Sequence, residues 1–289
     1  MQEIDLTKSK DVIGAYNSID FSYERKTYTD YGTQYCFDVL DGKIVAGYNI
    51  QLACFRHLRD LQRQGDSDFP YIYSVDAFNR FLKFLSLVPN VDDLSQKLEP
   101  MDWQYFIFAQ LFAWFDLDDV PRFSNIIISI ARSQGKTMIA GICLNFSYLI
   151  EIIGQSNQDF LVSSLNFDQT MKLFTYVKSM MARIIENEPF KTLAEETQLQ
   201  LYSREIKSLA DANTIHTISF ESGKFDGKHF RTAISDEVGE LKSDEGISKI
   251  TSGQVNTEGS RFIEISTSYQ TPDVPFHQEQ KKLIEIMER

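Results

Sequence analysis

The sequence predicts an α/β fold, a mostly parallel sheet sandwiched by helices and preceded by a helical N-terminal subdomain. Three observations predict it. Short apolar strands after position 124 alternate with amphipathic helices, the pattern that builds a parallel sheet covered on both faces. A glycine loop joins one of those strands directly to a helix. The first 95 or so residues, by contrast, show helical spacing and little else. The expected organisation is a mostly helical segment over 1–95, a core over 96–275 and the start of a further helix over 276–289. A chain of 289 residues, 43% apolar and 24% charged, suits one large domain or a core with a satellite.

Each element follows from its local pattern. "IVAGYNIQLACFRHLRDLQRQ" (Ile44–Gln64) and "AFNRFLKFLSLV" (Ala77–Val88) place apolar residues at helical spacing, with "GDSDFP" as the loop between them. "MDWQYFIFAQLFAWF" (Met101–Phe115) reads as a helix ended by "DLDDVP". "NIIISIA" (Asn125–Ala131) is a buried strand, and a helix runs from Thr137 through "TMIAGICLNFSYLIEII". "DFLVSS" (Asp159–Ser164) is a second strand, followed by the amphipathic "FDQTMKLFTYVKSMMARIIENEPF". "NTIHTISF", "RTAISDE" and "RFIEISTS" supply the later strands. The final "HQEQKKLIEIMER" is helix-like with no stop signal, so the chain is expected to end inside an element.

Composition narrows the function. The net charge of −12 opposes nucleic-acid binding through bulk charge, so any DNA contact needs a local patch. Cys36, Cys54 and Cys143 lack metal or disulfide spacing and read as buried thiols in a reducing cytosol. The polar N-terminus is no signal peptide, and no apolar run is long enough to span a membrane. His57, His216, His229 and His277 form no metal-binding motif.

The chemistry begins at "ISIARSQGKTMIAGI" (Ile128–Ile142). Gly135-Lys136-Thr137 ends like a phosphate-binding loop, Gly-x4-Gly-Lys-[Ser/Thr]. The first glycine of that spacing is here Ile130, and the interior carries Arg132. Alone, the tripeptide reads either as a chance surface turn or as a loop that has dropped a glycine. Its place between a buried strand and a helix is the context the motif requires. In that reading Arg132, Ser133, Gln134 and Gly135 lend backbone N–H groups to a β-phosphate. Lys136 neutralises the β/γ oxygens, and the Thr137 hydroxyl holds Mg²⁺.

A second signal follows about 100 residues later. "RTAISDEVGE" sets Asp236 and Glu237 at the end of a buried strand. The Asp suits a Mg²⁺ water shell and the Glu suits activation of an attacking water. An acidic pair at a sheet edge is the plain alternative. With the loop, the pair predicts ATP hydrolysis by an ASCE-type P-loop NTPase; a small-molecule kinase has no use for a water-activating carboxylate. Ser266, Thr267 and Ser268 close another apolar strand, where a γ-phosphate sensor can sit, although serines there often merely cap. Gln104, beside Trp103, taken alone reads first as a polar residue of an amphipathic helix, and alternatively as an amide able to read adenine. "SGKFDGKHF" (Ser222–Phe230) is no second loop: its glycines are four apart and His229 replaces Ser/Thr. With Lys224, Lys228 and Arg231 it reads as a solvated turn or a DNA-backbone contact.

The loop "IARSQGKT", lacking its first glycine, resembles the P-loop of large terminase subunits of tailed bacteriophages. The likeness extends along the chain. "YCFDVLDGKIVAGYNIQLACFRHLRDL" is similar to the N-terminal signature of the HK97-like branch, and "LEPMDWQYFIFAQLFAW" to its adenine-motif helix. "KFDGKHFRTAISDEVGE" resembles its Walker B region, and "ITSGQVNTEGSRFIEISTSYQTPD" the segment ending in its coupling motif. The resemblance implies that Glu237 is the catalytic base and that Asp236 and Thr137 serve the metal. It implies that Arg132 stabilises transition-state charge or senses the γ-phosphate, and that Gln104 reads adenine. Ser266–Ser268 would be the coupling motif, with Ser-Thr-Ser for the usual Thr-Thr-Ala-like pattern. It further implies a DNA-packaging ATPase using ATP and Mg²⁺, with double-stranded DNA, a portal protein and a small terminase subunit as partners. Such a motor works as a homo-oligomeric ring in the host cytoplasm, docked on a procapsid, with no membrane. The isolated domain would be a monomer. The expected chain is the ATPase half alone, residues 276–289 leading toward an absent nuclease domain, so no DNA cleavage is expected. A helicase-like ATPase and a non-catalytic nucleotide-binding module are the rival readings.

Overall fold

Two of the first three helices start where acidic side chains cap them. The Asp11 carboxylate accepts the Gly14 N–H at 2.8 Å and that of Asp30 accepts the Thr33 N–H at 3.0 Å, satisfying donors a helix leaves open. The computed structural model describes residues 4–267 and 273–289. The chain divides into two units: Met1–Arg80 with Glu99–Phe123 and Gln278–Arg289, and Phe81–Leu98 with Ser124–His277.

The first unit is built on α1 (Val12–Asn17), α2 (Ser22–Thr27), α3 (Tyr31–Leu40) and α4 (Tyr48–Arg63), followed by β1 (Tyr71–Tyr73) and the start of α5 (Val75–Leu85). α6 (Asp102–Ala113) and β2 (Trp114–Asp116) complete its middle segment. α3 can approach α6 because residue 32 is glycine: a Cβ there would lie 2.6 Å from that of Ala109. The apolar run Met101–Phe115 reads as one helix, but α6 stops at Ala113 and Trp114 enters β2, antiparallel to β1. Burial of the indole explains the break. Trp114 packs edge-on against Tyr73 and His57, with the Arg122 guanidinium 5.0 Å from its ring. His57 is itself buried, 3.0 Å from the Thr33 hydroxyl, and burial lowers its pKa to about 3, so it is a neutral core residue.

The second unit contains β3 (Asn125–Ser129), α7 (Lys136–Phe146), β4 (Asp159–Ser163), α8 (Phe167–Ile184), α9 (Phe190–Glu196), β5 (Leu199–Leu201), β6 (Glu205–Ser208) and β7 (Thr214–Thr217). β8 (Phe230–Asp236), α10 (Glu245–Gln254), β9 (Arg261–Ser266) and the first turn of α11 (Pro275–Glu288) follow. The sheet order is β3-β9-β8-β4-β7-β6-β5. The first five are parallel, as the alternation of strands and helices predicts, and β6 and β5 add an antiparallel hairpin. α7 packs on β8 and β9, and α8 on β4 and β7. On the opposite face Leu161, Ala233 and Phe262 meet Ile247 and Ile250 of α10.

The helix expected from Thr137 to Ile153 is α-helical only to Phe146; a π turn carries Ser147–Glu151. The wider turn serves buried polar partners. The Ser147 hydroxyl lies 2.7 Å from that of Thr232, and Arg261 donates to the Glu151 carboxylate at 2.6 Å. Among the described residues, no helix is long and apolar enough to cross a membrane.

Candidate functional site

β3 and β8 are separated by one strand, β9, and all three run in the same direction. The glycine loop after β3 and the acidic turn after β8 therefore emerge at the same, carboxyl end of the sheet, where open α/β sheets place their ligands. The loop folds without a first glycine for a local reason. Ile130 has no positive φ, and its N–H donates to the Ser266 carbonyl at 3.1 Å, prolonging the β3–β9 ladder. The turn falls instead on Ser133 (φ 60°) and Gly135 (φ 78°), both left-handed. Gly135 caps α7, whose first N–H groups lack partners within the helix.

Lys136, the first residue of α7, reaches Glu237 at 3.0 Å, and both side chains are largely buried. Asp236 stands beside them. Burial and the neighbouring Glu237 charge raise its pKa to about 6, with Lys136 opposing them. Glu237 takes φ 59°; its N–H donates to the Ile265 carbonyl and to its neighbour's Oδ1, each at 2.9 Å. The Thr137 hydroxyl has no hydrogen bond among the described residues, and exposed Arg132 has no polar partner among them either.

Ser266 links the two halves of the site. Its carbonyl receives Ile130, and its hydroxyl accepts the Gly239 N–H at 3.0 Å, just beyond Glu237. Among the described residues, the Thr267 hydroxyl is buried without a hydrogen-bond partner; Ser268 lies outside them. Gln104 belongs to the first unit, where its side-chain oxygen accepts the Met101 N–H at 2.9 Å and closes the capping box of α6. Lys224 is exposed. Lys228 lies 3.2 Å from His216 and 3.9 Å from Asp159. Arg231 is half-buried in β8 and donates to the Glu258 carbonyl. It stands near the start of the strand that Asp236 ends, roughly 16 Å away at ordinary strand rise.

One contributor escaped the sequence reading. Ser164, just past β4, donates its hydroxyl to the Asp236 carbonyl at 3.1 Å. A polar pair ending an apolar strand was its only trace, and such pairs are common turn formers.

The structure is similar to that of the HK97 bacteriophage large terminase, with a TM-score of 0.55 and 19% identity over 72% of this chain. At that identity the likeness shows the fold, and this chain spans 42% of the HK97 protein's length. The UvsW helicase from bacteriophage T4 gives a TM-score of 0.45 at 15% identity, covering 72% of this chain and 64% of that one. The ATPase domain of the Thermus phage P74-26 large terminase gives 0.40 at 13%, covering 51% and 61%. No curated protein matches the chain. The family model "Terminase large subunit, ATPase domain" matches residues 102–283, well over half the sequence and every element from α6 through β9. The chain belongs to the family of terminase large subunit ATPase domains.

Proposed function

We propose that this chain is the ATP-hydrolysing motor part of a phage large terminase and drives double-stranded DNA into a procapsid. The observation that carries the reading is the 3.0 Å contact between Lys136 and Glu237. It joins a strand–loop–helix phosphate cradle to an acidic strand end, in a chain of the terminase ATPase family.

The chemistry follows from these side chains. Loop and α7 N–H groups hold the phosphates, and Lys136 exchanges Glu237 for their oxygens. Glu237, released from Lys136, accepts a proton from the water whose oxygen attacks the γ-phosphorus; ADP and phosphate leave. Arg132 adds positive charge where the transition state gathers negative charge. Mg²⁺ fits the donors present: a Thr137 hydroxyl without a hydrogen bond among the described residues and an Asp236 carboxylate whose ionisation burial penalises. Mg²⁺ keeps most of its waters and needs few protein oxygens. When bound it neutralises phosphate charge.

Ser266, bonded to both loops, is the proposed start of coupling, with Thr267 and Ser268 beside it. Gln104 is the proposed reader of adenine. A ring of subunits with a portal protein and a small terminase subunit, docked on a procapsid in the host cytoplasm, completes the proposal.

The test is calorimetric titration of Mg·ATP into the parent, Lys136→Ala and Glu237→Gln. The expected outcome is binding by the parent, none by Lys136→Ala, and binding without hydrolysis by Glu237→Gln. Equal binding by all three, or by none, overturns the reading. DNA-stimulated turnover without strand separation separates a packaging motor from a helicase.

A further inference from the structure

We infer that Ser164 is a positioning residue of this site, its hydroxyl fixing the Asp236–Glu237 peptide so that the Glu237 carboxylate faces the phosphate loop. The inference rests on the reading of that site as ATP-hydrolysing.

The backbone at Glu237 is not at rest. Glu237 has φ 59°, a left-handed conformation that residues other than glycine adopt at a cost and keep only when their surroundings over-determine it. The peptide between Asp236 and Glu237 is held at both polar ends. Its N–H donates to the Ile265 carbonyl of β9 at 2.9 Å, and its carbonyl accepts the Ser164 hydroxyl at 3.1 Å. The two grips come from opposite neighbours of β8, so together they resist rotation of the peptide plane.

The grip on the β4 side is made by a side chain because the ladder has run out. The β4–β8 register ends at Ser163 opposite Ser235, and beyond it the Ser164 hydroxyl supplies the donor that a backbone N–H supplies elsewhere. Ser164 is itself fixed. It is buried, its N–H donates to the Thr170 hydroxyl at 3.0 Å, and its carbonyl accepts the Phe220 N–H at 3.0 Å. Without its hydroxyl, one end of the peptide is released, and the Glu237 side chain leaves the line it holds toward Lys136. Among the described residues, no hydrogen bond of Ser164 involves the loop, so its loss does not weaken nucleotide binding.

The neighbouring serine is a built-in control. Ser163 is equally buried, but its hydroxyl has no hydrogen-bond partner among the described residues. Both serines are replaced by alanine in the full chain. Mg·ATP affinity and turnover are then measured, with amide hydrogen exchange at Glu237–Gly239. For Ser164→Ala, turnover falls at least about tenfold, as for a misaligned reacting group, while affinity does not weaken and rises by no more than about fivefold as Lys136 is released. Exchange at Glu237–Gly239 rises. Ser163→Ala leaves all three unchanged, and Ser164→Cys, a weaker donor of similar size, falls between.

Equal turnover in the two alanine variants overturns the inference, as does an equal loss of affinity and turnover in Ser164→Ala. Should the parent bind nucleotide without measurable turnover, exchange decides: unchanged protection at Glu237–Gly239 in Ser164→Ala overturns it. A parent that binds no nucleotide defeats the functional reading instead, and the exchange result still judges the clamp.

Discussion

Lys136 and Glu237 are 101 residues apart in sequence and 3.0 Å apart in space, so in the proposed function the candidate base neutralises the candidate phosphate-binding lysine until an anion replaces it. An ion pair of this partial burial contributes up to about 1 kcal/mol. Glu237→Gln, which keeps the shape and removes the charge, should therefore bind ADP roughly two- to fivefold more tightly in calorimetry. Unchanged affinity would mean that the pair does not compete with phosphate. Asp236 carries a pH signature. Its folded pKa of about 6 lies above the ordinary 3.8, so the folded chain holds this proton more tightly than the unfolded one. Stability linked to it is fully present below pH 3.8 and is lost as pH rises through 6, by up to about 3 kcal/mol. Asp236→Asn should raise the melting temperature most above pH 6, with the gain shrinking toward pH 4; a pH-independent gain would exclude the linkage. Lys136, Asp236 and Glu237 were legible in the sequence because motif spacing and strand context constrain them. Ser164 was not, since its role depends on where a ladder between strands 72 residues apart happens to end.

At the scale of elements, periodicity and apolar runs recovered the longer helices α4, α5, α6 and α8 and the five parallel strands. It failed where tertiary contacts override local preference. Trp114 left its helix for β2 because its indole is buried among Tyr73, His57 and Arg122. The hairpin of β5 and β6 is too short to alternate visibly, each strand having three or four residues. The loop after β2 shows what holds such departures in place. The Arg122 guanidinium lies within 5.2 Å of the ring centroids of Phe69, Tyr71, Trp114 and Phe123, and 2.8 Å from the carboxylate of Asp60 on α4. Asp60 is buried, so removing it strands a cation among aromatic faces. Asp60→Ala should cost about 3–5 kcal/mol in urea unfolding, the range for breaking a buried pair. A loss below about 1 kcal/mol would show that the rings alone hold the arginine.

Across the whole molecule, interleaving of the two units is invisible to composition, because Glu99–Phe123 and Gln278–Arg289 join the first unit through contacts that chain order does not reveal. Net charge, by contrast, is fully legible and constrains the proposed partner. At −12 the chain repels a DNA backbone overall, so any binding must rest on a few local cations and be weak. The three candidate residues are unequal in this respect. Lys228 is near Asp159 and Arg231 is engaged with a carbonyl, whereas Lys224 is exposed and has no ion pair among the described residues. Lys224 is therefore the candidate for the proposed DNA contact in this segment. Lys224→Ala should weaken binding equally for unrelated duplexes and reduce the slope of log affinity against log salt by about one. Anisotropy titrations between about 50 and 200 mM salt measure both quantities. A slope unchanged in Lys224→Ala would remove this loop from the DNA path and shift the search to surfaces that a ring of subunits assembles.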